Sequence, residues 1–310
     1  MELVNPMKVN VNIQGRLSGE LELAPVTVLV GPPRSGKTTL LRLIFDTLYA
    51  DYFGYEPSEL GAINSAVIEI EGLKLTCEDG QCSRERYSEK LKRLNPFYLP
   101  TEYELLLKFG MWPPYESYET LRNAWLKLFL RAGQSRCADE YLKVIKGDGL
   151  EGKFEFRRVG FHIYEILENL EVPLFISSTT VVKLGALENL FLKGVLDEYD
   201  VFLLDNPEVS LHPLAQARLA LLIHSLANCD KIVVVASHDV LFVDMLRRVD
   251  DVNKIFGSEI RASDVAIYNI VDGKIKRVDT LASYLENYTE YIYAVYGAKV
   301  EKVRGGAVIK

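Results

Sequence analysis

The chain has 310 residues, 48 % of them hydrophobic and 25 % charged, with a formal net charge of −7. That balance supplies ample core-forming material and excludes a disordered or fibrous chain. The negative sum excludes a bulk polycation that coats nucleic acid or membrane, although a local basic face survives it.

In chain order, residues 7–15 alternate polar with apolar, and residues 20–30 become continuously apolar, so both read as strands. A Gly-rich turn precedes a helix predicted from Lys37 to Tyr49. Residues 62–76 read as a hairpin turning at Glu71-Gly72, followed by a second turn at Asp79-Gly80 between Cys77 and Cys82. From about 83 to 150 the pattern is helical, broken by Pro and Gly, and short strand-like pieces follow at 152–158 and 161–166. Beyond 173 a helix, the strand VFLLD, a helix at 213–228, the strand KIVVVAS and a helix at 239–248 alternate, which argues for a largely parallel α/β sheet. A hairpin around Asp272-Gly273 and a Tyr-rich helix from 280 to 297 close the prediction. No apolar run reaches the roughly 18–20 residues that span a bilayer, and the first residues lack the apolar core of a signal peptide. A soluble, cytoplasmic protein is expected.

Gly31-Pro32-Pro33-Arg34-Ser35-Gly36-Lys37-Thr38 fits G-x-x-x-x-G-K-[ST] between an apolar strand and a helix. Glycines let the backbone wrap phosphate oxygens, and amides at the helix start point at the anion. Pro32 and Pro33 remove two donors early in the loop, but the amides of residues 34–38 remain. Lys37 is placed to bridge β- and γ-phosphates and the Thr38 hydroxyl to ligate Mg²⁺. The strand Val201–Asp205 ends in the carboxylate such a site uses on the metal side, the alternative being a cap for the next helix.

The continuation Asn206-Pro207-Glu208-Val209-Ser210-Leu211-His212-Pro213 resembles the D-E-P-E-x-x-L-H-P stretch of ABC-type ATPases related to SMC, RecF and OLD proteins. Ser177-Ser178-Thr179-Thr180-Val181-Val182-Lys183-Leu184 resembles a degenerate signature motif, and Val233–Asp239 resembles the strand carrying the switch histidine. Tyr98-Leu99-Pro100 stands where relatives carry a Tyr-Ile-Pro strand. The resemblance covers residues 1–50 and 170–270. It implies an α/β P-loop NTPase core of ABC-ATPase type (1–50 and 170–275) with an N-terminal antiparallel β subdomain. A mainly helical insertion (51–169, a β hairpin plus a lid) and a C-terminal helix and tail (276–310) complete it. It further implies ATP and Mg²⁺ as cofactors, with Gly31, Arg34, Ser35, Gly36, Lys37, Thr38 and Thr39 around the phosphates and Thr38 and Asp205 on the metal. His238 would sense the γ-phosphate, and Ser178 would reach the nucleotide of a second subunit in an ATP-dependent homodimer.

One position departs from that pattern. Asn206 occupies the place of the glutamate that polarises the attacking water, and an amide accepts no proton, so general-base assistance of roughly 10²–10⁴-fold is missing. Glu208 is the nearby carboxylate that could substitute. Two functions therefore stay open: an ATPase of slow turnover coupled to a partner, DNA among the candidates, and a nucleotide-dependent binding switch with negligible hydrolysis. A transporter subunit fits less well because L-S-G-G-Q is absent, and a small-molecule kinase does not explain the tail after Asp205.

His212 and His224 read as structural. Cys77 and Cys82 are expected as free thiols, a cross-strand disulfide being the alternative. The span 81–160 holds 15 Lys/Arg against 11 Asp/Glu. Its densest part, Arg84, Arg86, Lys90, Lys92 and Arg93, could release counterions from nucleic acid, or form a solvated helix laced with i,i+4 pairs. Trp112, Tyr115 and Tyr118 read as core or loop packing, with stacking on a base as the alternative.

Overall fold

The computed structural model describes residues 7–54, 65–79, 81–88, 92–130, 133–146, 154–160, 162–167 and 170–278, with two short pairs at 302–303 and 306–307. The Tyr-rich helix expected at 280–297, and Lys90 of the basic cluster, lie outside the described residues.

The alternating start folds into β1 (Met7–Ile13) and β2 (Leu17–Leu23), an antiparallel pair in which Met7 faces Leu23 and Ile13 faces Leu17. Pro25 has no amide hydrogen to continue a ladder, so the expected strand at 20–30 divides, and β3 (Val26–Val30) starts anew with all five side chains buried. The helix α1 (Lys37–Phe53) follows and ends on the left-handed Gly54. Next come β4 (Ser65–Ile70), β5 (Leu73–Glu78) and β6 (Gln81–Arg86), a meander that continues the β1–β2 hairpin.

The middle of the chain supplies β7 (Pro96–Leu99), α2 (Tyr103–Phe109), α3 (Glu116–Leu128) and α4 (Ala138–Lys146). A separate three-stranded sheet follows, made of β8 (Glu155–Val159), β9 (His162–Leu167) and β10 (Leu170–Pro173). The last part holds α5 (Thr179–Leu192), β11 (Val201–Asp205), α6 (Pro213–Ala227), β12 (Ile232–Ala236), α7 (Val240–Arg247), α8 (Val249–Phe256), β13 (Val265–Val271) and β14 (Lys274–Val278).

Eleven strands join in one sheet in the order β6-β5-β4-β1-β2-β14-β13-β3-β12-β11-β7. The run β13, β3, β12, β11, β7 is parallel throughout. The carboxyl ends of β3, β12 and β11 are therefore neighbours, at the edge where open α/β sheets place their ligands. The segment 51–169 contributes four strands, β4 to β7, to this same sheet. Among the described residues no helix is long and apolar enough to cross a membrane.

Two expectations change. The basic stretch 84–86 is the outer strand β6, not a solvated helix, and its Arg84 and Arg86 both pair with Asp51 of α1. Lys92 pairs with Asp200 at 3.3 Å. The cluster thus spends the charges of Arg84 and Arg86 on Asp51 of the fold, while Lys92 makes a surface pair. Cys77 and Cys82 are bonded rather than free, since the β5–β6 register sets them directly opposite with Cα atoms 4.0 Å apart. A second disulfide joins Cys137, just before α4, to Cys229, just after α6, across 92 residues.

Candidate functional site

The phosphate loop is shaped by backbone positions that only particular residues tolerate. Gly31 has φ 143°, and a Cβ built there would stand 2.4 Å from the carbonyl oxygen of Ile270 on the neighbouring β13. Gly36 caps α1 with φ 105°. Between them Arg34 takes the left-handed φ of 63°, and the Ser35 amide donates to the Pro32 carbonyl at 3.2 Å, closing a tight turn.

A cavity of about 700 Å³ opens over this loop. Arg34, Ser35, Gly36, Lys37, Thr38 and Thr39 line it from one side, Asn206 and His238 from the other. The chain thus brings together residues more than 160 positions apart, as the parallel order of β3, β12 and β11 requires. Arg16, from the turn between β1 and β2, also lines the cavity. Sequence reading missed it, because a hairpin turn carries no signal of what it overhangs. Gly31, Asp205, Glu208 and Ser178 are not among the lining residues.

Lys37 Nζ donates to the carbonyls of Gly31 and Pro32 at 2.8 and 2.9 Å. Burial holds its ammonium below the ordinary lysine range, with the charge of Asp205 countering. A lysine parked on loop carbonyls, partly desolvated, gains by transferring to phosphate oxygens, which are stronger acceptors. The Thr38 hydroxyl meets the carboxylate of Asp205 at 2.9 and 3.1 Å, tying the start of α1 to the end of β11. A hydroxyl and a carboxylate at one point, beside the phosphate loop, form the oxygen donor set that Mg²⁺ prefers. Burial pushes the Asp205 carboxyl up, opposed by its hydrogen bond from Thr38 and the nearby Arg42 charge. Tyr98 of β7 also reaches Asp205, at 3.4 Å.

Asn206 sits at φ 45°, a left-handed conformation that asparagine tolerates and longer side chains resist. Its amide orientation follows from chemistry. Nδ2 lies 2.9 Å from Asp205 Oδ1, and a carboxylate oxygen accepts, so the NH₂ group must face Asp205. Oδ1 then faces His238 Nδ1 at 2.9 Å and accepts its proton, which leaves Nε2 as the ring's acceptor nitrogen. Asp205, Asn206 and His238 form one oriented chain.

Glu208 points elsewhere. It is 1 % exposed and accepts a 2.6 Å hydrogen bond from Ser237 Oγ, with its second oxygen unpaired. Burial lifts its carboxyl to about 7. The native state therefore holds a proton that the unfolded chain, releasing near 4.5, has lost, so stability should fall as pH rises from about 4.5 to about 7. Glu208→Gln keeps the hydrogen bond and removes the titration. Its urea-denaturation free energy should gain up to about 3 kcal/mol on the native chain between those limits. Parallel profiles would refute the buried-carboxyl assignment.

Ser178 caps α5, accepting from the Val181 amide at 3.2 Å. Lys183, fully buried on α5, donates to Thr101 and Val209 carbonyls at 2.7 and 3.0 Å and pairs with Glu104. It thereby ties the Ser178 helix to the loop that follows Asn206. His212 caps α6 by accepting from the Leu214 amide. His224 Nδ1 accepts from the Ser263 amide, so Nε2 donates to the Leu246 carbonyl. Both histidines are structural. The Tyr118 hydroxyl accepts from Arg42 at 3.2 Å.

Residues 97–244 match the family described as "AAA domain, putative AbiEii toxin, Type IV TA system". No curated protein matches the chain in sequence. Three solved structures are similar at low identity. The SMC head domain from Thermotoga maritima matches with TM-score 0.50 and 13 % identity, over 89 % of this chain and 100 % of that one. The SmcHead bound to the C-winged helix domain of ScpA gives 0.56 and 12 %, over 90 % and 98 %. The Smc head domain with an extended coiled coil, bound to a ScpA domain derived from Pyrococcus furiosus, gives 0.54 and 11 %, over 92 % and 98 %. Identities this low speak to fold. The chain has the mixed α/β fold of these SMC head domains, and its Gly31–Thr38 loop stands at the sheet edge where open α/β sheets place their ligands.

Proposed function

We propose that the protein is an ATP-gated switch: Mg·ATP binds at the phosphate loop, is closed over by Ser178 of a second copy, and is hydrolysed slowly. One observation carries the reading. None of the residues lining the cavity is a carboxylate, while Arg16, Arg34 and Lys37 supply three cations. Such a wall binds a polyphosphate strongly and offers the attacking water no carboxylate base. Thr38 and Asp205 are the residues that would hold Mg²⁺, which would neutralise phosphate charge. Arg34, Ser35 and Thr39 would cradle the phosphates, and His238, held by Asn206, would face the γ-phosphate. A soluble protein working as a homodimer with a further partner fits this scheme.

The test is phosphate release at saturating Mg·ATP. The native chain should run near a Lys37→Ala blank, and Asn206→Glu should raise the rate by about 10²-fold or more. Because position 206 is left-handed, Asn206→Asp, which that backbone accepts more readily, serves as the second variant. Fast native turnover would overturn the switch reading. The oriented His238 favours a second reading in that event, with Nε2 taking the water's proton. His238→Ala would then abolish release while Glu208→Gln left it intact.

A further inference from the structure

A second cavity, of about 740 Å³, lies between the helical part of the middle segment and the small sheet. We propose that it binds a flat aromatic molecule bearing an anionic group, independently of the nucleotide site. The walls come from α2, α3, β8, β9 and the turn at 173–175. Aromatic side chains make up much of the surface, with Trp112, Trp125, Phe129, Tyr164 and Phe175 all lining it. Lys108, Arg122 and Arg158 stand among them with His162, and no lining residue is acidic. In a chain of net charge −7, a cavity whose charged groups are all cations is a local reversal of field, which draws anions and repels cations.

The apolar part calls for rings rather than a bare anion. Phe109 and Phe175 are 55 % and 57 % exposed at the mouth, surface that a stacked ring would cover favourably. The cations are already placed. Lys108 Nζ donates to the Ser177 carbonyl at 2.7 Å, and Arg158 Nε donates to the Gly160 carbonyl at 2.8 Å. Each keeps further N–H groups for an anion, because an ammonium has three donors and a guanidinium five. A volume near 700 Å³ is ordinary for a small-molecule site and admits two or three fused rings. The turn forming one wall runs directly into Ser178, so an occupant would brace the segment that is proposed to meet the second subunit.

The chain's two tryptophans, Trp112 and Trp125, both line this cavity, so tryptophan emission reports on it alone. The probes are 1-anilinonaphthalene-8-sulfonate and its uncharged counterpart N-phenyl-1-naphthylamine, which share a ring system and differ by the sulfonate. The sulfonate should quench tryptophan emission with one-site saturation and bind about 10-fold or more tightly than the neutral probe. Arg122→Glu with Arg158→Glu should erase that advantage. Both side chains are exposed, so the melting temperature should hold, and Arg122→Gln with Arg158→Gln gives the same readout without added acid. Mg·ATP should not displace the probe. Displacement by a nucleoside monophosphate identifies the natural anion as a phosphate, and displacement by 2-naphthoate identifies it as a carboxylate. Equal affinity for the two probes, binding indifferent to the arginines, or displacement by neither competitor would each overturn the proposal.

Discussion

Replacing Lys37 by alanine is expected to raise the Kd for Mg·ATP by about 100-fold or more while leaving the fold intact. A hydrogen bond to a charged group contributes about 1.5–3 kcal/mol, and an ammonium between two phosphates makes at least two of them. The folded state loses little. Lys37 touches the carbonyls of Gly31 and Pro32 and the Ser35 hydroxyl, and its own side chain lines the cavity, so water can enter the space it leaves. Thermal stability without nucleotide should therefore stay within about 1 kcal/mol of the native chain. The measurement is a titration of a fluorescent ATP analogue with and without Mg²⁺, beside a thermal melt. Thr38→Ala should lose mainly the Mg²⁺-dependent part of the affinity, because its hydroxyl meets Asp205 rather than the loop. Unchanged affinity in Lys37→Ala would remove the phosphate-loop assignment itself.

What the sequence disclosed about this site follows a physical divide. The phosphate loop is one contiguous segment whose residue types are dictated by backbone geometry, so Gly31, Gly36 and Lys37 are legible by inspection. The strands β11 and β12 are buried on both faces and read as apolar runs ending at Asp205 and just before His238. Their adjacency to β3 comes from the crossover order of a parallel sheet, which the alternation implies. Glu208 looked like a surrogate base because spacing alone cannot say which way a side chain leaves the turn. The backbone is left-handed at Asn206 and again at Ser210, φ 66°, and Glu208 between them lies against Ser237 and does not line the cavity.

Elsewhere one charged run misleads because its charges serve the interior, and two long-range pairings leave no local trace. Strand β6 carries Arg84 and Arg86 with Glu85 between them, and such a run resembles a solvated helix. Its real period is two: Cys82, Arg84 and Arg86 turn toward α1, where Asp51 waits, while Ser83 and Glu85 face solvent. Likewise β7 is only four residues long, and nothing in Pro96–Leu99 reveals that it seals the sheet beside β11. The Cys137–Cys229 bond joins sites that only the packing of α4 against α6 relates.

That same packing carries the largest stability effect expected of any single substitution. Glu188 on α5 and Arg218 on α6 are 0 % and 1 % exposed, and Arg218 grips both carboxylate oxygens at 2.7 Å from Nε and Nη2. Tyr141 of α4 adds a third hydrogen bond, at 2.6 Å, so one carboxylate gathers three helices. Burial raises the Glu188 carboxyl, and the Arg218 charge opposes it. Glu188→Ala leaves a guanidinium buried without its counter-charge, a loss of about 3–5 kcal/mol. Glu188→Leu combined with Arg218→Met removes both charges at similar volume and should recover most of that, because the pair's attraction is largely offset by its desolvation. Urea denaturation of Glu188→Leu, Arg218→Met and the double variant gives the coupling directly. Costs that add would mean that Glu188 and Arg218 stabilise the helices independently; a double variant near the native chain would mean that the pair fixes the angle of α5, and with it the placement of Ser178, more than it holds the fold together.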